Sequence, residues 1–263
     1  DTFQELVDMP AVISSKRLMK VLLLGDSCED EYIYGRCTRI SPEAPVPVLD
    51  YAKIQTKSGM AGNVCLNLQS FGLDITFLTN NEQLVKTRFI DEKSNQQILR
   101  VDNEEKIKPL MIPVATDTFD AVVISDYDKG YLTTKKIFEI VDSSSCPVFI
   151  DSKKSILPNK PNCFIKINDV EYEKLDNYNI ENLIVTKGSE GCIYKQTLYP
   201  AEKVNVYDVV GAGDTFLAAL VYGYITTNNI DQSLMLGNRA AGIAVQQPGT
   251  YILTEEDVTK ILC

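Results

Sequence analysis

Short apolar runs, each ended by a polar residue and spaced by helical stretches, constrain this chain more than any other feature. Residues 20–25 form the first run and close at Gly25-Asp26. Residues 121–124 lead into Ser125-Asp126, 147–150 into Asp151, 163–167 into Asn168, and 183–185 into Thr186-Lys187. Runs this short and this apolar predict strands buried on both faces. Between or after them apolar residues take helical spacing. Ala61, Val64, Cys65, Leu68 and Phe71 do so before the stop at Gly72, and the pattern returns over 133–141, 169–175, 212–225, 233–245 and 255–262. Strands alternating with helices predict an α/β fold whose mainly parallel sheet is covered on both faces. Ligands collect beyond the carboxyl ends of such strands. Asp26, Asp126, Asp151, Asn168 and Lys187 fall at those ends, so one shared site is expected.

Two segments differ in character. Residues 31–57 mix Tyr32, Ile33, Tyr34 and Tyr51 with Pro42, Pro45 and Pro47, which predicts edge strands projecting as a small β lid. Exposed lid strands also predict association, a homodimer through the lids. Residues 1–17 read as a leader ending at Arg17. No repeat or linker divides the chain, so one domain over 1–263 is expected.

Composition then removes whole chemistries. The 263 residues contain no His, which excludes Ser-His-Asp and Cys-His pairs, His-ligated zinc and imidazole acid–base catalysis. A general base must be Asp, Glu, Lys, Tyr or Cys. With 26 Lys and Arg against 36 Asp and Glu, the formal charge of −10 argues against a nucleic-acid partner. The 7 cysteines are scattered with no C-x-x-C, the pattern of reduced thiols in a cytoplasmic protein. The apolar run 21–24 is too short for a membrane span.

The densest chemistry lies at 206–216, where Gly211-Ala212-Gly213-Asp214 opens a strongly apolar helix. Bare amides at a helix start can face an anion, and an Asp in the first turn lies beside whatever they hold. That Asp could take a proton from an attacking hydroxyl while the amides neutralise a phosphoryl group. The competing reading is a glycine turn with a dipole-favoured acid. Phe216 stands where a dinucleotide loop needs its third glycine, and no G-x-x-x-x-G-K-[ST] occurs.

Gly211-Ala212-Gly213-Asp214 resembles the C-terminal signature of the ribokinase (PfkB) family of carbohydrate kinases. Gly25-Asp26 with Asp30, Gly59-Met60-Ala61-Gly62-Asn63, Asn168-Asp169-Val170-Glu171 and Thr186-Lys187-Gly188-Ser189-Glu190-Gly191 follow in family order. The 39–48 stretch, Lys86-Thr87-Arg88, Asn95-Gln96-Gln97 with Arg100 and Asp102, and Ser125-Asp126-Tyr127-x-Lys129-Gly130 resemble its heptose-7-phosphate kinase branch. The resemblance runs from about Lys20 to the C-terminus. It implies a ribokinase-like three-layer sandwich that uses ATP and Mg²⁺ to phosphorylate O1 of D-glycero-D-manno-heptose 7-phosphate for ADP-heptose synthesis.

By that resemblance Asp214 is the base, and the amides of Gly211, Ala212 and Gly213 form the anion hole. Asn168 and Glu171 organise Mg²⁺ through water, Lys187, Gly188 and Gly191 line the nucleotide, and Asn238 lies near the adenine. Asp26, Asp30, Gly59 and Asn63 map to the sugar, while Arg88, Lys129 and Lys153 are cations for phosphate groups. Each has a plainer reading: Asn168 as a helix cap, 186–191 as a hairpin turn, Arg88 and Lys153 as solvated charges, Asp30 as a surface carboxylate, Asn63 as support for its helix start.

Three departures stand out. Only residues 81–85 separate the 75–80 run from Lys86, so a helix and a strand of the family body are absent. Met60 replaces a glycine of the sugar loop. Asp151-Ser152-Lys153 and Lys166-Ile167-Asn168 replace the D-P-K and T-P-N runs. The nucleotidyltransferase half of bifunctional relatives, with its H-x-G-H motif, is not expected in a chain without His, which leaves nucleotidyl transfer to a separate protein. Rival readings are a kinase for another sugar or a nucleoside, and an impaired sugar-phosphate or nucleotide-binding relative.

Overall fold

The computed structural model describes residues 17–263. All of the expected leader except Arg17 lies outside the described residues. The strands fall into two sheets. The body sheet uses β1 (Lys20–Gly25), β4 (Asp74–Thr79), β7 (Ala121–Asp126), β8 (Val148–Ser152), β9 (Cys163–Asn168), β10 (Leu183–Thr186), β11 (Gly191–Tyr194) and β12 (Thr197–Pro200). Their spatial order is β12-β11-β10-β9-β8-β7-β1-β4. Pairing is parallel from β4 to β10, and the β10-β11-β12 edge is antiparallel.

Period-two alternation builds both apolar layers. Val21 and Leu23 of β1, Ala121 and Val123 of β7 and Phe164 of β9 enter one core. Its other wall comes from helices α1 (Ala61–Ser70), α4 (Ala212–Thr227), α5 (Ile230–Ala244) and α6 (Glu255–Leu262). Leu22, Leu24, Val122, Ile124, Ile165 and Ile167 enter the opposite core, closed by α2 (Thr134–Ser143) through Ile137, Ile140 and Val141. Strands loaded on both faces explain why these runs carry no polar alternation. The three-layer α/β architecture is therefore present. Helix α3 (Asp169–Tyr172) is shorter than the expected 169–175: residues 173 and 174 continue it only as turn.

The second sheet corrects the extent of the lid. It has four strands in the order β3-β2-β5-β6, with β2 (Ser27–Ile40), β3 (Pro47–Met60), β5 (Leu84–Asp91) and β6 (Gln96–Glu104). The expected 31–57 hairpin is its first half. The second half comes directly after the short 80–83 turn, because no body helix intervenes after β4 and the body sheet ends there. Strand β6 is exposed along its whole length and leaves an open edge.

Candidate active site

Gly211 immediately precedes helix α4 as its N-cap, with a left-handed φ of 77°; a Cβ there would also stand 2.8 Å from Asn63 Nδ2. Glycine is thus required by conformation and by space. The Ala212 amide donates to the Val209 carbonyl at 3.3 Å, whereas the Gly211 and Gly213 amides have no protein acceptor among the described residues. The expected three-amide hole is corrected accordingly, since the turn that starts the helix uses the Ala212 N–H.

Asp214 occupies the first turn of α4 and is 4% exposed. Asn63 Nδ2 donates to its Oδ2 at 3.0 Å, and the Tyr127 hydroxyl donates to its Oδ1 at 2.7 Å. Burial pushes the Asp214 carboxyl up to about 6, against the pull of these two donors. A carboxylate poised there suits a general base near neutrality. Burial beside the Asp214 charge also holds Tyr127 well above the ordinary phenol range, so it remains a donor. Replacing Tyr127 by Phe deletes one hydrogen bond to the charged form. The acid limb of activity should then move up by about one pH unit, as read from kcat/KM against pH.

Several of the residues expected on the sugar side come together at the lid base. Asp30 is buried and pairs with Arg88 Nη1 at 2.6 Å. A Cβ on Gly59 would fall 2.3 Å from Asp30 Oδ2, so that glycine leaves room for the carboxylate. Burial lowers the Arg88 pKa, but the Asp30 hydrogen bond and charge outweigh it and hold the guanidinium above its ordinary value. Neither Asp30 nor Arg88 is the solvated surface charge of the plainer reading. Asn63 reaches Asp214 rather than capping its own helix. Met60 turns inward, 4% exposed at φ 58°, with its sulfur 3.3 Å from Lys86 Nζ.

Asp26 takes a different part from the one expected. Its oxygens accept from the backbone N–H groups of Tyr127 at 2.8 Å, Lys129 at 3.3 Å and Tyr131 at 3.1 Å, and it is 0% exposed. It therefore anchors the loop that carries Tyr127, with no oxygen facing a sugar. Lys129 Nζ crosses to Glu104 of the lid at 2.5 Å. Lys153 Nζ stands 4.6 Å from the Tyr127 ring centroid and Lys86 Nζ 5.9 Å, and neither has a carboxylate partner among the described residues. Lys86, Tyr127 and Lys166 are the residues that sequence reasoning left out of the site. Tyr127 was within reach, as the residue following a strand that ends in Ser125-Asp126.

A cavity of about 1040 Å³ opens beside α4. Val204, Val206, Phe216 and Val245 make it apolar, while Lys166 and Gly213 mark its polar end. Gly188, Gly191 and Asn238 are among the residues that line it, and Asn238 Nδ2 is tied to the Tyr199 carbonyl at 2.8 Å. Residues 186–191 form the hairpin turn between β10 and β11, with Gly188 at φ 54° and Gly191 at φ 105°. Lys187 points to Asp169 instead of the cavity. Asn168 and Glu171 form a reciprocal cap: Glu171 N donates to Asn168 Oδ1 and Asn168 N to Glu171 Oε2, both at 2.9 Å. Burial, then the nearby Asp151 charge, raises the Glu171 carboxyl. Asp151 Oδ2 accepts from Lys166 Nζ at 2.5 Å, and the Asp151 charge holds Lys166 above the ordinary lysine value against burial, the largest influence on it.

The chain is similar to known proteins in sequence and in fold. The family profile described as pfkB family carbohydrate kinase matches residues 167–257. The bifunctional protein HldE of a Nitratiruptor species is 34% identical over 297 residues, covering 92% of this chain and 64% of that protein. The chain thus spans less than two thirds of that relative, and an alignment longer than the 263-residue chain itself means that the relative carries segments missing here. Among solved structures, ribokinase from Thermotoga maritima superposes with a TM-score of 0.68 at 15% identity, covering 93% of this chain and 99% of that one. Phosphofructokinase-2 from Escherichia coli gives 0.69 at 14%, covering 93% and 98%. These two likenesses concern the fold.

Proposed function

We propose that this chain, which matches the pfkB family carbohydrate kinase profile over residues 167–257 and is 34% identical to a bifunctional protein HldE, transfers the γ-phosphoryl group of ATP to O1 of D-glycero-D-manno-heptose 7-phosphate. The observation that carries the reading is Asp214, buried in the first turn of α4 beside unpartnered amides and next to a cavity of nucleotide size. The acceptor hydroxyl gives its proton to Asp214 as its oxygen attacks the γ-phosphorus. The bond from that phosphorus to the β,γ-bridging oxygen breaks, and the electron pair leaves with ADP. The Gly211 and Gly213 amides neutralise charge developing on the transferred group. Lys153 and Lys86, near Tyr127, suit the phosphate that the sugar already carries. Movement of the lid over this corner would exclude water.

The residues present fit a hydrated divalent cation. Asn168 and Glu171 would hold it through water, since the helix cap leaves Glu171 Oε1 without a protein donor among the described residues. No group of three His, Cys, Asp or Glu poised for direct ligation occurs among those residues. Bound Mg²⁺ would screen the triphosphate charge and align it.

Choice of a seven-carbon phosphate rests on the resemblance of residues 39–48 and 86–102 to the heptose kinase branch. A second reading, another acceptor or a binding-only protein, is favoured by Met60 and the shortened body after β4. ADP release measured over a panel of heptose 7-phosphate, fructose phosphates, ribose and nucleosides tests the choice. Heptose 7-phosphate should give the highest kcat/KM; a higher value for another acceptor would overturn it. Partners follow from the same reading: a nucleotidyltransferase activity to use the product, and a second copy against the open β6 edge. The 7 cysteines suit the cytoplasm, and among the described residues no helix is long and apolar enough to cross a membrane.

A further inference from the structure

We propose that Lys166 is a second catalytic residue of this site, its ammonium contacting the terminal phosphoryl group of the nucleoside triphosphate. The proposal rests on the kinase reading and adds a group to it.

Lys166 lies at the carboxyl end of β9 and is 5% exposed, yet it lines the polar end of the cavity. A Cβ built on Gly213 would stand 2.8 Å from Lys166 Nζ. The ammonium is thus set against the start of α4, beside the unpartnered Gly213 amide. Cations are disfavoured at a helix N-terminus, where the dipole is already positive. A buried lysine in that place is electrostatically costly on its own. Asp151, at 2.5 Å, offsets one side of it. The amides and the ammonium then converge on the same corner and suit a group of high negative charge. A nucleotide whose base occupies the apolar part of the cavity brings only its phosphate tail to that corner. During transfer the lysine keeps its protons and stabilises the non-bridging oxygens. The acceptor proton still goes to Asp214, and the breaking P–O bond still gives its electron pair to ADP.

A purely structural Lys166–Asp151 pair would affect folding without distinguishing ATP from ADP. Calorimetric titration of the full chain with each nucleotide therefore separates the two roles. In Lys166→Met, ATP affinity should fall about tenfold or more while ADP affinity stays within about twofold, the loss expected for one charge-assisted contact. Turnover should fall by about 10²–10³, and Lys166→Arg should recover part of both. If stranding Asp151 unfolds the single variant, the double variant Lys166→Met/Asp151→Asn removes the pair, and its ATP to ADP affinity ratio should still drop. A folded variant with the parental ratio and turnover would overturn the assignment while leaving the kinase reading intact. A parent chain that binds neither nucleotide would overturn both.

Discussion

Asp214→Asn should yield a folded protein that still binds nucleotide but turns over about 10²–10⁴ times more slowly, the usual contribution of a general base. The amide keeps the shape of the carboxylate and can still accept from Asn63, while the Tyr127 hydroxyl can turn to accept from the new NH₂. Loss of turnover would then report chemistry rather than collapse. The pH profile follows from the same residue. Burial holds the folded-state carboxyl at about 6, above its ordinary value of 3.8, so the native state binds the proton more tightly than the unfolded chain. Activity should fall as the pH drops through about 6, because the protonated acid cannot accept the acceptor's proton. Stability should move the other way: the ionised group costs roughly 2–3 kcal/mol at neutral pH, relieved progressively between about 6 and 4. At pH 8 the Asn variant should therefore melt no lower than the parent. A variant that keeps more than a tenth of parental turnover would remove Asp214 as base.

Arg88→Met should be the most damaging single change in the lid. It leaves the Asp30 carboxylate buried without its cation, and breaking such a pair costs about 3–5 kcal/mol. The penalty belongs to the stranded charge more than to the lost contact. The double variant Asp30→Asn/Arg88→Met, which strands no charge, should therefore recover most of it. Denaturant titration followed by circular dichroism would compare the three. A single variant within about 1 kcal/mol of the parent would mean that water reaches Asp30 and the pair is a surface one.

The body of the fold was legible because its strands are loaded on both faces and its helices end at clear stops. The lid was only half legible. Strands β2 and β3 carry aromatic and β-branched residues, but Gln96–Glu104 is exposed throughout and buries none of its apolar residues Ile98, Leu99 and Val101. Its place is set by pairing with β5, which a single sequence does not display. In the site, Gly211 and Asp214 could be found from spacing. The part played by Asp26 could not, because it depends on three amides brought back by the chain a hundred residues later. Lys166 had a readable signal that went unused. Alternation places it on the same face of β9 as Phe164, whose core is shared with α4, so a lysine there had to sit beneath that helix.

The most direct test of the central claim is phosphorus NMR of the parent chain incubated with ATP, Mg²⁺ and D-glycero-D-manno-heptose 7-phosphate. The γ-phosphate signal should disappear, ADP should appear, and a second sugar phosphomonoester should form whose coupling places it on the anomeric carbon. The Asp214→Asn chain should leave the spectrum unchanged over the same period. Nucleotide consumed without a new sugar phosphate, or a phosphate placed on any other carbon, would contradict it.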